Sequence, residues 1–466
     1  MKAVFVGGGA SRLVGILREA FSYPGLFSGG EINLYDLNAP RARAVARMLQ
    51  KTPEYGRVGC RITSGTTLEA ALEGADMVGV ILMAGSQKSY QLGALASRER
   101  GFFASDNLSP NGAFLAIKGG PILLNLARKM ERYCPGAWLV DFANPVAVHS
   151  GMINQHSKIQ ALGVCAGYTN HEWDLNRILT GKDEPGRDFD VEAAGVNHLS
   201  FITKGAFRGR DLFVALDRRL AGKWEMPPLQ AHLPPGVRKS ITRSVTSLVR
   251  FYRALGVLIF STEGDGMAHL AYDEWCQRAG REAGTSSPGQ VQAQVKQAAW
   301  NRAQSDRKFQ ALLETDLNQT FWDRGWQVPA NSWARKTQHD IFVEILRGRA
   351  GETVKIVASR PNRGAVEGFP DRTVLEYSMI IEKGAIRPAG GYRVPEIVHG
   401  LVSGLAMHQT MLGDAIATDD PKLLAHALLA YPMRQFSVEA RRLYQALARI
   451  NRDEMPRGLR SVGDYL

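Results

Sequence analysis

Cysteine is scarce in this chain: four in 466 residues, Cys60, Cys134, Cys165 and Cys276, with no CxxC spacing among them. A disulfide framework is not expected at that density, and the usage points to a reducing cytoplasm. Long apolar runs are missing too. None approaches the roughly 18 residues of a membrane span. The opening "MKAVFVGGGA" holds one short apolar run, which glycines interrupt at once. That is too little for a signal-peptide core and reads better as a strand. Although the net charge is +12 and the pI about 9.6, no long Lys/Arg run occurs. The dispersed charge argues against a nucleic-acid partner and suits attraction of an anionic small molecule. No internal repeat and no low-complexity linker appear, so the second half is expected to pack on the first.

What is present is a core-forming composition, 45% apolar and 22% charged. Along the first 190 residues, strand-like and helix-like stretches alternate. "KAVFV", "EINLYD", "CRITS", "DMVGVILMAG", "AWLVDF" and "KIQALGVC" read as strands. "SRLVGILREAF", "APRARAVARMLQKT", "LEAALEGA" and "GAFLAIKGGPILLNLARKMERY" read as helices, the last interrupted by Pro121. This alternation predicts an α/β fold: a doubly wound, Rossmann-type parallel sheet over residues 1–190. Residues 191–466 change character. "FDVEAAGVNHLSFITKGAF" suggests antiparallel strands, a polar helical region with Trp300, Trp322, Trp326 and Trp333 follows, and "RTVLEYSMIIEKGAIRP" suggests strands before a helical tail. A mixed α+β domain is expected there, giving a lactate/malate dehydrogenase-like architecture.

Two local patterns carry chemistry. The turn "GGGASR", Gly7, Gly9, Ala10, Ser11 and Arg12 among its residues, follows a strand and opens a helix. Backbone N–H groups there suit a dinucleotide pyrophosphate. The sixth fingerprint position is Arg12 instead of glycine, which weakens the motif; Asp36, ending the second strand, strengthens it. An acid there can accept both ribose hydroxyls and disfavours the extra phosphate of NADP, so the expected cofactor is NAD. Arg41 follows closely in "LYDLNAPRA" and is counted with the same site. The second pattern is Cys165 in "GVCAG" with His198 in "GVNHLSF". Singly, each is an ordinary core residue. However, Cys165 ends a parallel strand, where such sheets place ligands, and the polar "NH" interrupts an apolar run. Thiolate and imidazole together form a two-donor site for a divalent metal, with the remaining positions open to substrate.

Taken in order, "GGGAS", "LYDLNAPRA", "SPNGAFLAIKGGPILLNLARKME", "CPGAWLVDFANPVAV", "GVC", "GVNHLSF", "NRGAVEGFPDRTVLE", "GAIRPAGGYRVP" and "DPKLLAHALLAYP" resemble family 4 of the glycoside hydrolases over nearly the whole chain. These glycosidases stand outside the two-carboxylate pattern and use NAD. The resemblance implies NAD, a divalent metal, manganese for preference, on Cys165 and His198, and a glycoside substrate. It implies hydride removal from C3, loss of the acidified C2 proton, elimination of the glycosidic oxygen, addition of water and return of the hydride. Asn144 and Asn197 are then expected to hold sugar hydroxyls. Ala166 stands where the family often has His, Asp or Asn, leaving the general acid open. Tyr252 is a candidate for the base, and Asp265 and His269 are the other candidates for proton transfer or metal contact. Lys118, near a family arginine, and Arg363, with Lys239 and Arg243, are the candidates for an anionic group: phosphate, carboxylate or sulfonate. A homodimer or homotetramer is also implied. Two other readings compete: a lactate/malate-like NAD-dependent 2-hydroxyacid dehydrogenase, which needs no Cys/His pair, and a non-enzymatic NAD-sensing regulator.

Overall fold

The computed structural model describes residues 1–466 except 166, 168, 169, 185, 187, 262, 272–287, 316, 319–321 and 323–339. Ala166, Cys276, Trp326 and Trp333 therefore lie outside the described residues. Six strands form the parallel part: β1 (Lys2–Val6), β2 (Glu31–Tyr35), β3 (Arg61–Ser64), β4 (Met77–Val80), β5 (Trp138–Asp141) and β6 (Gln160–Gly163). They lie in the order β3-β2-β1-β4-β5-β6. This is the doubly wound order expected from the sequence, with its reversal between β1 and β4. β4 and β5 are buried along their whole length, as helices on both faces require.

Local chemistry sets the helix starts. Asn38 caps the helix Ala39–Gln50, Ser86 caps Gln87–Glu99, and Ser109 caps Pro110–Tyr133, each with a side-chain oxygen accepting a backbone N–H. Prolines occupy the first turn of the first and last of these helices, where the missing N–H costs nothing.

The remaining strands are β7 (Phe189–Val196), β8 (Leu199–Phe207), β9 (Arg210–Asp211), β10 (Leu258–Ile259), β11 (Val354–Pro361), β12 (Val374–Glu382) and β13 (Ala385–Pro388). They extend the same sheet in antiparallel fashion as β10-β8-β7-β12-β11-β6. The seam between the two parts is a single residue pair, Ser359 opposite Gly163. β11 is an unanticipated strand, and it makes that seam.

The two halves also share a core. The helix Ile341–Arg349 packs on the nucleotide-type half: Phe342 lies 5.8 Å from the ring of Phe142 and 6.1 Å from that of Phe5. Burying an aromatic or aliphatic side chain of this size contributes about 1.5–3 kcal/mol. Among the described residues, no helix is long and apolar enough to cross a membrane.

Candidate active site

The glycine turn leaves the C-terminal end of β1, and Asp36 follows the end of β2. Gly7 has φ +89°, and a Cβ there would fall 1.9 Å from the carbonyl oxygen of Ile81, so only glycine fits. Gly7 and Gly8 donate their N–H groups to Tyr35 O, at 2.9 and 2.8 Å. Gly9 donates to Asp36 Oδ2 at 2.8 Å, and Asn38 N–H to Oδ1 at 2.7 Å, which fixes the carboxylate beside the turn. Ala10 and Ser11 lead into the helix Leu13–Ala20. At the sixth position Arg12 sets its guanidinium carbon 3.7 Å from the centre of the Phe142 ring. Burial holds its pKa below the ordinary value, opposed by the charges of Asp340 and Cys165. The Arg41 stem packs near Gly9, while its head pairs with Asp306 at 3.0 Å.

Cys165 lies just past the C-terminal end of β6, and His198 in the two-residue turn between β7 and β8. Their side chains meet: Sγ is 3.4 Å from Nε2. His198 has φ +71°, a left-handed conformation costly for a non-glycine residue and typical of functional positions. The helix Gly264–Leu270 presses on this turn so closely that a Cβ on Gly266 would come within 1.8 Å of His198 O. That approach sets Asp265 Oδ1 2.8 Å from His198 Nδ1. Asp265 Oδ2 accepts Ser105 Oγ at 2.7 Å and the N–H of Leu108 at 2.8 Å. Burial raises the Asp265 pKa, but the charge of His198 and these donors outweigh it and keep the group ionised. Conversely, burial disfavours the charged imidazole while Asp265 and Cys165 outweigh that and raise its pKa.

These donors fit a divalent cation. Two atoms 3.4 Å apart match the span of bonds of about 2.0–2.3 Å to one ion. A ligand imidazole commonly donates its other N–H to a carboxylate, as His198 does to Asp265. Among the described residues, no group of three or more His, Cys, Asp or Glu side chains is placed to hold one metal ion together, so the protein offers this pair and leaves the other positions open.

Polar groups surround the pair. A small recess is lined by Cys165, Gly167, Asn197, His198, Phe260, Ser261, Val357 and Glu376. Glu376 is buried, and accepts Asn197 Nδ2 at 2.7 Å and Ser200 Oγ at 2.8 Å. Burial pushes its pKa up. Asn107 donates to Asn197 Oδ1 at 2.6 Å and to Asn144 Oδ1 at 3.1 Å. Asn144, after β5, and Asn197 are thereby joined in one network. The sequence reading misses Asn107 and Glu376. The signal for Glu376 is an acid inside the apolar strand "TVLEYSMII".

Other expected residues are placed elsewhere. Lys118 is not an open anion binder: its ammonium, with 3% side-chain exposure, spends its three protons on Ser89 Oγ, Asn451 Oδ1 and Glu454 Oε2. Tyr252 Oη lies 2.8 Å from Asp217 Oδ1 and 3.3 Å from Phe213 O. Burial, then Asp217, pushes its pKa up. Arg363 is exposed, two residues beyond β11. That strand carries the chain about 13 Å from Val357 by Pro361. Lys239 is exposed and Arg243 half-buried on the helix Pro235–Leu255. His269 reaches Asp265 only through that residue's carbonyl, 2.7 Å from Nδ1. Its Nε2 meets Tyr431 Oη at 2.9 Å, at the edge of a separate cleft of about 380 Å³.

Comparison with known proteins gives the following. The model of the family 4 glycosyl hydrolases matches residues 2–180, and that of the family 4 glycosyl hydrolase C-terminal domain matches residues 193–433. An alpha-galacturonidase of Thermoanaerobacter italicus is 22% identical over 444 residues, covering 93% of this chain and 92% of its own. A 6-phospho-alpha-glucosidase from gut microorganisms, solved with NAD and glucose 6-phosphate, superimposes with a TM-score of 0.77 at 15% identity, covering 98% of this chain and 99% of its own. The 6-phospho-beta-glucosidase of Thermotoga maritima, solved with manganese, NAD+ and glucose 6-phosphate, gives 0.72 at 15% identity and the same coverage.

Proposed function

Since the chain belongs to family 4 of the glycosyl hydrolases, we propose that it is an NAD- and divalent-metal-dependent glycosidase acting on an anionic glycoside, a uronide before a 6-phosphoglycoside or a sulfonated sugar. The relative named alpha-galacturonidase, aligned over nearly the full length, supports that preference. The NAD and manganese of the similar solved structures support the cofactors. The observation that carries the reading is the line Cys165–His198–Asp265, whose cysteine follows the C-terminal end of a parallel strand just as the glycine turn does.

Gly7 to Arg12, Asp36 and Arg41 would hold NAD; Cys165 and His198 would hold the cation. Bound there, NAD supplies a recyclable hydride acceptor and the cation supplies Lewis acidity at the sugar oxygens. The protein's own part is alignment. Asp265 takes the Nδ1 proton of His198 in a hydrogen bond, which leaves the Nε2 lone pair facing the sulfur side. Asp36 accepts ribose hydroxyls and repels a 2′-phosphate. Asn144 and Asn197 orient the sugar. In this reading residues 1–190 form the nucleotide domain, and residues 191–466 the domain for substrate, metal and assembly, with Cys165 contributed across the boundary.

The test is turnover of nitrophenyl galacturonide with NAD and Mn2+ in D2O. The expected result is catalytic use of NAD with one deuterium at C2 of the product. Stoichiometric NADH without deuterium incorporation would establish a dehydrogenase instead.

A further inference from the structure

We infer that Asn107 is a positioning residue that fixes which end of the Asn144 amide faces the substrate; this rests on the glycosidase reading above. Asn107 is 4% exposed. Its NH2 group has two protons, and both are spent on carbonyls, Asn144 Oδ1 and Asn197 Oδ1. An amide flip at Asn107 would set its oxygen against those two oxygens, so its orientation is determined. Asn197 is fixed a second time, because its own NH2 donates to Glu376. Asn144 has no such second partner: among the described residues its Nδ2 meets no acceptor, and the residue is half-buried. With its carbonyl held by Asn107, Asn144 must present a donor outward.

The segment that carries Asn107 is itself locked. Ser109 Oγ accepts the N–H groups of Gly112 at 3.0 Å and Ser105 at 3.1 Å, and Ser105 Oγ accepts that of Asn107 at 3.1 Å. The same Ser105 hydroxyl donates to Asp265, the partner of His198. One short segment thus sets both the amide pair and the imidazole. A donor in this place has a chemical purpose. A sugar oxygen that alternates between hydroxyl and ketone is an acceptor in both states. An amide NH2 can therefore hold it throughout, whereas an amide carbonyl could bind only the hydroxyl.

The test compares Asn107→Asp and Asn107→Ala with the parent on anionic nitrophenyl glycosides and their monodeoxy analogues. Asn107→Asp keeps the shape but turns an acceptor toward both carbonyls. The expected loss in kcat/KM is about 10- to 100-fold, with NAD and Mn2+ affinities, read by fluorescence and EPR titration, within twofold. The parent should bind the unreactive monodeoxy analogue that lacks this oxygen about tenfold more weakly than the full glycoside, read as inhibition constants, and both variants should lose that difference. A variant with a reduced active fraction but the parent's discrimination overturns the proposal, since a merely structural residue behaves that way. A neutron crystal structure of Asn107→Ala, which tells amide nitrogen from oxygen, gives a second measure: a reversed or displaced Asn144 amide supports the inference and an unchanged one refutes it. If the parent cleaves no glycoside, the glycosidase reading fails and this crystallographic result alone decides the role of Asn107.

Discussion

Lys118→Met separates a structural lysine from a substrate-binding one. The substitution keeps the unbranched apolar stem and removes the ammonium. Three bonds disappear: to Ser89 Oγ at 2.9 Å, Asn451 Oδ1 at 2.8 Å and Glu454 Oε2 at 3.2 Å. Asn451 is buried, with 1% exposure, and its orphaned carbonyl costs about 1–3 kcal/mol. Loss of the partly buried ion pair adds to this. Relief of the lysine's own desolvation, which already holds its pKa below the ordinary value against the pull of Glu454, subtracts from it. The expected destabilisation is about 2–4 kcal/mol. It would be read as a lower urea midpoint at unchanged m.

A pH dependence accompanies this. Burial would raise the pKa of Glu454, but donors from Ser86 and Ser89 and the charge of Lys118 outweigh it and bring it from 4.5 to about 2. A depressed folded pKa gives stability that is present above the unfolded value and lost as pH falls through the folded one. The parent should therefore lose stability between about pH 4.5 and 2, and the variant should lose less because the Lys118 charge is gone, keeping the part that Ser86 and Ser89 supply. The reasoning fails if Lys118→Met leaves stability within about 0.5 kcal/mol while raising KM for an anionic glycoside more than about tenfold. That result would return Lys118 to the substrate.

Asp265→Asn should weaken Mn2+ binding about 10- to 100-fold, since the carboxylate orients the ligand imidazole; equal affinities in EPR titration would contradict the assigned ligand role of His198. Asp36→Ala should weaken NAD about 10- to 100-fold and NADP much less, and an unchanged NAD/NADP ratio in fluorescence titration would separate Asp36 from the ribose. Tyr252→Phe should leave kcat within twofold and cost about 1 kcal/mol of stability through its bond to Asp217. A loss of kcat of about 100-fold or more would make Tyr252 the base after all.

The nucleotide half was legible because its signals are local. Alternating periods, a glycine turn after a strand and an acid ending the next strand report structure within a few residues. Cys165 and His198 were legible for a related reason, each being a polar exception at the end of an apolar run. Lys118 misled because sequence spacing cannot show that Asn451 and Glu454, more than 300 residues away, return to cover it. The partner of Tyr252 was hidden similarly, Asp217 lying on another helix. Asn107 stayed hidden because its meaning lies in two bonds to residues 37 and 90 positions distant.

The Phe5–Phe342–Phe142 cluster makes the chain hard to divide. A fragment ending near residue 190 would lose the ring that seals its central strands and would present Phe5 and Phe142 to water. Such a fragment should aggregate when made alone. Made together with the remainder, the two pieces should complement each other and purify as one particle.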